Sequence, residues 1–85
     1  MFKVKIITPQ GVYGEADASI LNVRTTDGMR GILSNHMPLV TMLVDGEMTV
    51  GNDQANTRVN YHTGQGILYF HDNLATVLVD SIEEK

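Results

Sequence analysis

The sequence predicts an all-β domain, a sandwich or barrel of short antiparallel strands, and three observations predict it. Apolar residues recur with a period of two in one segment after another. Turn residues interrupt these segments at intervals of about eight to twelve residues. No stretch sustains the 3.6-residue apolar period of a helix. With 85 residues, the chain holds one core, because two independent cores would each be too small.

Phe2, Val4 and Ile6 alternate with Lys3, Lys5 and Ile7, which reads as a first strand, and Thr8-Pro9-Gln10-Gly11 as a turn. Val12 to Glu15 is a short extended piece. From Ala16 to Val23 the alternation continues as one strand that becomes buried on both faces. Asp27-Gly28 is a strong turn signal, since glycine accepts positive φ without steric cost. Gly28 and Gly31 bracket Met29 and Arg30, which reads as an exposed tip. Ile32-Leu33 restarts an apolar segment, and Pro38 fixes its own φ and biases Met37 to an extended conformation. Leu39 to Val44 is a nearly continuous apolar run, closed by Asp45-Gly46. Glu47 to Val50 and Thr57 to His62 flank a polar hairpin loop, with Val59 and Tyr61 facing inward. Ile67 to Phe70 and Leu74 to Val79 are further strands, the latter with Ala75, Val77 and Val79 on one side. Ser81 to Lys85 reads as the start of a helix, capped by Ser81 or Asp80 with acids in its first turn.

Composition excludes several function classes. The net charge is −4, and the six Lys and Arg residues form no run. Nucleic acid and anionic membrane need clustered cations to neutralise phosphates, so neither is an expected partner. Without cysteine there is no disulfide and no Cys-based metal site. The N-terminus lacks the apolar segment of a signal peptide, and no run reaches the length of a membrane span. The expectation is a soluble intracellular chain.

No constellation points to catalysis, a metal or a cofactor. His36, His62 and His71 have no ligand at metal-binding spacing. Ser34, His36 and Asp45 are the ingredients of a triad without the strand-turn-helix elbow that exposes a nucleophile. Gly64-x-Gly66 lacks the third glycine and the helix of a dinucleotide fingerprint. Contacts are the better expectation. Met29 and Arg30 at an exposed tip suit a partner interface, where Arg is enriched. His36 reads either as a ring that rigidifies the corner before Pro38 or as a partner contact. Met37, Met42 and Met48 read as core filling or as an adaptable surface, with core favoured because Met42 and Met48 lie in strand patterns. Leu39-Val40-Thr41-Met42-Leu43 lacks the polar alternation of a solvated outer face, so its second face is expected to be covered.

Three groups of residues carry a family resemblance. Gly31-Ile32-Leu33 followed by His36-Met37-Pro38-Leu39, between Thr26-Asp27-Gly28 and Asp45-Gly46, resembles the signature of the epsilon subunit of the rotary F-type ATP synthase (delta in mitochondria). Gly64-x-Gly66-Ile67-Leu68-Tyr69-Phe70, with Asn73 and Thr76 to Asp80, is similar to the closing strands of that family's N-terminal domain. Val4-x-Ile6-Ile7-Thr8-Pro9-x-Gly11 fits its opening. The resemblance spans essentially the whole chain. It implies a flattened sandwich of about ten short strands over residues 1–81, with 82–85 a tail where a two-helix domain would begin.

The same resemblance implies a non-catalytic central-stalk subunit that couples ion-driven rotation of the membrane c-ring to the gamma subunit, and so to ATP synthesis. It implies the cytoplasmic face of a bacterial membrane as the setting. It assigns Met29, Arg30 and His36 to the ring, although relatives often carry an acid where this chain has Met29. It assigns Leu39, Met42 and Leu43 to gamma. No nucleotide or other cofactor is expected, because the nucleotide-binding helices would lie beyond Lys85. The rival reading is a small sandwich that binds a carbohydrate or peptide, and a small enzyme is a third.

Overall fold

A computed structural model describes the whole chain, Met1–Lys85, and it is all strand and turn. The strands are β1 (Phe2–Thr8), β2 (Gly11–Ala18), β3 (Ile20–Thr25), β4 (Gly28–Leu33), β5 (Leu39–Leu43), β6 (Gly46–Asn52), β7 (Thr57–Thr63), β8 (Gly66–His71), β9 (Leu74–Val79) and β10 (Ile82–Glu84). They form one hydrogen-bonded sheet in the order β10-β7-β6-β3-β5-β8-β9-β1-β2, with β4 on the free side of β3. The sheet curls into two layers, β4-β3-β6-β7-β10 and β5-β8-β9-β1-β2. A single pair, Thr25 with Leu43, joins β3 to β5. All pairings are antiparallel except β1 with β9.

The curl comes from corners rather than from breaks. β5 pairs with β8 from Leu39↔Phe70 to Leu43↔Gly66, and β6 continues in the same register against β7 from Gly46↔Thr63. β8 with β9, and β7 with β10, repeat the pattern: Gly66↔Val79 leads on to Thr63↔Ile82. Three long strands therefore run through both layers, bending at residues 44–45, 64–65 and 80–81. Across the bend, Gly64 N–H donates to the Ser81 carbonyl and Asp80 N–H to the Gln65 carbonyl, each at 3.0 Å. Gly66 makes the tightest approach. A Cβ there would lie 1.8 Å from the backbone oxygen of Leu78.

This geometry corrects the helix expected from Ser81. Ile82–Glu84 is strand β10, because the register that holds β9 on β8 carries on unbroken into β7. Ile82 packs against the core, Lys85 N–H donates to the Asn60 carbonyl at 2.9 Å, and the Lys85 ammonium pairs with Glu47. Local acids and a cap do not compete with a ready-made strand partner. The single strand expected from Ala16 to Val23 is two. The chain breaks at Ser19, whose N–H donates to the Gly51 carbonyl at 2.8 Å as the chain passes from one layer to the other. Met29 and Arg30 are not at a tip. They belong to β4, opposite Arg24 and Val23. The turn is Thr26-Asp27, where Thr25 Oγ1 accepts from Asp27 N–H and donates to the Gly28 carbonyl, and Gly28 takes φ +105°.

The period-two alternation sorts the side chains. One layer sends Leu21, Val23, Ile32, Met48 and Val50 inward, and the other sends Phe2, Val4, Ile6, Leu43, Leu68, Phe70, Ala75, Val77 and Val79. Phe2 and Phe70 meet edge to face with centroids 5.6 Å apart. Each large buried side chain contributes roughly 1.5–3 kcal/mol. Met48 is core, as its strand pattern predicts, but Met42 and Met37 are exposed. Met42 sits on the outward parity of β5, and Met37 lies in the loop before it.

Replacing Gly66 with alanine is expected to lower stability by about 2–3 kcal/mol, because the obstruction is backbone and cannot rotate away. At Gly14, where a Cβ meets nothing within 4 Å, alanine is expected to change stability by less than about 1 kcal/mol. Urea unfolding of the two variants checks the contrast.

Candidate functional site

The two outer faces differ in chemistry. On the β5-β8-β9-β1-β2 layer, the registers align Met42, Ile67, Leu78, Ile7 and Val12 in one row across five strands. The next row is Val40, Tyr69, Thr76, Lys5 and Glu15, and the third runs from His71 through Leu74 and Lys3 to Asp17. Val40 is 66% exposed, Met42 57%, Tyr69 45% and Leu78 43%. This is a contiguous apolar band rather than a scatter of single residues, and such bands mark interaction sites. At the bend the band opens into a cavity of about 460 Å³, lined in part by Ile7, Pro9, Ile67 and Leu78.

The opposite outer face is polar across β6, β7 and β10, while its β4 edge carries exposed Met29 and Leu33. Asn22, Thr49 and Asn60 form one row, with Thr49 Oγ1 donating to Asn60 Oδ1 at 2.9 Å. Glu47, His62 and Glu83 form another. His62 Nε2 lies 2.7 Å from Asp45 Oδ1. The Lys85 ammonium, by hydrogen bond and by charge, holds the Glu47 carboxyl below its usual value. On the inward side of β7, burial raises the Tyr61 hydroxyl above its usual value, helped by the nearby Glu84 carboxylate.

The residues singled out from the sequence do not all come together. Leu43 is core, 3% exposed, and Leu39 is half-buried against the core, so of the trio on β5 only Met42 faces outward. Met29 and Arg30 have opposite parity on β4: Met29 is exposed and Arg30 half-buried. His36 lies beyond the far end of β4, whose span from Met29 to Leu33 is about 13 Å at ~3.3 Å per residue. Its Nδ1 donates to the Met37 carbonyl at 2.8 Å, and its ring stands edge-on to Phe70 at 5.9 Å. Both contacts lie at the corner before Pro38, while the neighbouring Met37 and Leu33 are exposed. Val12, Ile67, Tyr69 and Leu78 were not singled out, and Val40 only as part of the apolar run on β5. The signal was present: Ile67 to Phe70 lacks polar alternation just as Leu39 to Leu43 does. No group of three or more His, Asp or Glu converges at metal-binding spacing.

In class the chain is a small curled all-β sandwich whose two outer faces differ in chemistry. Its family is shown by sequence. The chain belongs to the ATP synthase delta/epsilon chain beta-sandwich domain family, whose model matches residues 1–85. It is 36% identical over 85 residues to the ATP synthase epsilon chain of Lactobacillus helveticus, covering 98% of this chain and 58% of that one. To the ATP synthase epsilon chain of Ruminococcus albus it is 34% identical over 83 residues, covering 98% and 61%. The chain thus spans less than two thirds of the length of these relatives. Its fold is similar to a chain in the Euglena gracilis mitochondrial ATP synthase structure with c-ring, at TM-score 0.87 and 16% identity, covering 95% of this chain and 51% of that one. A chain of the Tetrahymena thermophila mitochondrial ATP synthase central stalk and c-ring matches at TM-score 0.80 and 19% identity, covering 95% and 64%.

The Glu47 pairing fixes the sign of one pH effect. A carboxyl held low in the folded chain adds stability above its unfolded value, and that stability is lost as pH falls through the folded value. The Lys85→Ala variant is expected to raise the Glu47 midpoint toward the usual carboxylate range in an NMR titration. An unmoved midpoint would remove Lys85 as the cause.

Proposed function

We propose that this chain is a non-catalytic subunit of the central stalk of a rotary F-type ATP synthase, transmitting ion-driven rotation of the c-ring to the gamma subunit. The observation that carries the reading is the apolar band across β5, β8, β9, β1 and β2, together with membership of the delta/epsilon family. A rotating stalk needs a rigid adaptor with two separated contact regions, and this fold offers them. Gamma docks on the apolar band, with Met42, Val40, Tyr69 and Leu78 as its exposed members. The ring docks at the β4 and 34–38 side, through Met29, Arg30 and the loop that His36 anchors. Arg30 is half-buried, and a pair formed by its solvent-reaching end with a ring carboxylate would be worth only about 0.2–1 kcal/mol, so it sets register more than affinity. Ring rotation then turns gamma, which drives the catalytic sites elsewhere in the complex. The setting is the cytoplasmic face of a bacterial membrane.

Size-exclusion co-elution with the cognate gamma subunit, followed by calorimetry, tests the reading. A one-to-one complex is expected. Met42→Asp and Tyr69→Asp are each expected to weaken it at least tenfold, about 1.4 kcal/mol or more, since they place charge in a desolvated contact. Asn60→Asp, on the polar face, is expected to leave affinity unchanged. No binding at micromolar concentration would overturn the gamma assignment.

A further inference from the structure

We propose that Asn35 and Asn73 form a positioning clasp that presets the ring-facing loop, an inference that rests on the reading above. The two residues lie 38 positions apart and exchange hydrogen bonds. Asn35 N–H donates to Asn73 Oδ1 at 2.8 Å, and Asn73 Nδ2 donates to Asn35 Oδ1 at 3.1 Å. Both take left-handed backbone, φ +62° and +57°, as does Asp72 at +52°. Asparagine tolerates that conformation better than most residues. The Asn73 carbonyl also accepts from Lys3 N–H at 3.0 Å, which seats the β8–β9 turn on β1.

The clasp adds a second link between two parts that otherwise meet at the Leu39↔Phe70 pair and the His36–Phe70 ring contact. One is the Ser34–Pro38 loop, which carries Met37 and follows Leu33, both exposed. The other is the turn between β8 and β9, the two strands that carry Ile67, Tyr69 and Leu78 of the apolar band. Between them lies a polar hollow of about 400 Å³ lined by Asn35, His36, Pro38, Asp72 and Asn73, so apolar packing does not hold the loop on this side. The other restraints on the loop are the bond from His36 N–H to the Leu33 carbonyl at 3.2 Å and the contacts the His36 ring makes with Met37 and Phe70. The amide pair therefore ties the ring-side loop to the strands that meet gamma. Losing it frees the loop and raises the ordering cost of docking there, while leaving the apolar band intact.

The test uses Asn73→Gly, which keeps left-handed backbone accessible and deletes both side-chain bonds, and Asn73→Asp, which keeps the acceptor for Asn35 N–H. Amide exchange at Asn35 in the isolated chain is expected to quicken at least tenfold in Asn73→Gly and to be largely restored in Asn73→Asp. The complex of chain and gamma is expected to dock on detergent-solubilised c-ring about tenfold more weakly with Asn73→Gly, while affinity for gamma stays within twofold. Unchanged exchange, or quickened exchange with unchanged ring docking, overturns the clasp as a positioning device. An equal loss of gamma affinity overturns it too, by showing general loosening. A wild-type complex that does not dock overturns the ring reading itself, and is told apart by normal protection of Asn35.

Discussion

Everything in this fold depends on the approach of Gly66 to the Leu78 carbonyl at the bend. There the backbones of two strands come closer than any side chain permits. Because that contact is possible, β7-β8 and β9-β10 can turn from one layer into the other without losing register. A continuous bent strand saves a loop in each crossing, and loop ordering is a large cost in a chain this short. The three parallel bends also decide which residues face where. Partner register carries through each bend, but the inside–outside phase shifts there: odd positions face inward on β5, β7 and β9, and even positions on β6, β8 and β10.

The outer faces then diverge through sequence alone. Where the strands cross the β5-β8-β9 layer, the outward positions hold Met42, Ile67, Tyr69 and Leu78. Where the same strands cross the other layer, they hold Glu47, His62 and Glu83. One set of strands thus supplies a sticky side and a wet side. The cavity at the bend lies where the apolar band ends, because the Gly66 approach leaves no side chain to fill it. The feature that lets the sheet fold also shapes the edge of its apolar band.

Much of this is legible in the sequence, and the residues show why the rest is not. Period-two alternation places Phe2, Val4 and Ile6, and Ala75, Val77 and Val79, correctly in the core. Asp27-Gly28 marks a real reversal, whereas Asp45-Gly46, read as a turn, lies at a bend where β5 runs on into β6. What alternation cannot convey is a bend with conserved register. Ser81-Ile82-Glu83-Glu84 has the local marks of a helix start, and only the distant pairing of Ile82 with Thr63 makes it a strand. Nor does a glycine bracket reveal whether its contents are tip or strand. Met29 and Arg30 lie in β4 because β3 offers them partners, which is tertiary information. For the candidate site, absence of alternation flagged the outer face of β5, and the same rule read on β8 exposes Ile67 and Tyr69. The inward side of Leu43 needed the register.

An exposed apolar band is a hazard in a domain with open sheet edges, and the placement of charge answers it. Three strands have a free edge. β2 carries Glu15 and Asp17 and is itself irregular at Tyr13, which has no partner between the Ile6↔Gly14 and Ile7↔Val12 pairs. β10 is three residues long, two of them glutamate. β4 carries Arg30 and interrupts its backbone with Gly28 and Gly31. Charges, bulges and short length each discourage edge-to-edge pairing. The faces are treated differently, since the band on β5, β8 and β9 has no charge until Lys5 and Lys3 at its β1 margin. Association is thereby steered away from strand addition, which has no defined stoichiometry, toward face packing, which does. On the proposed stalk reading, blunting the edges and baring one face is the arrangement that selects a single docking orientation.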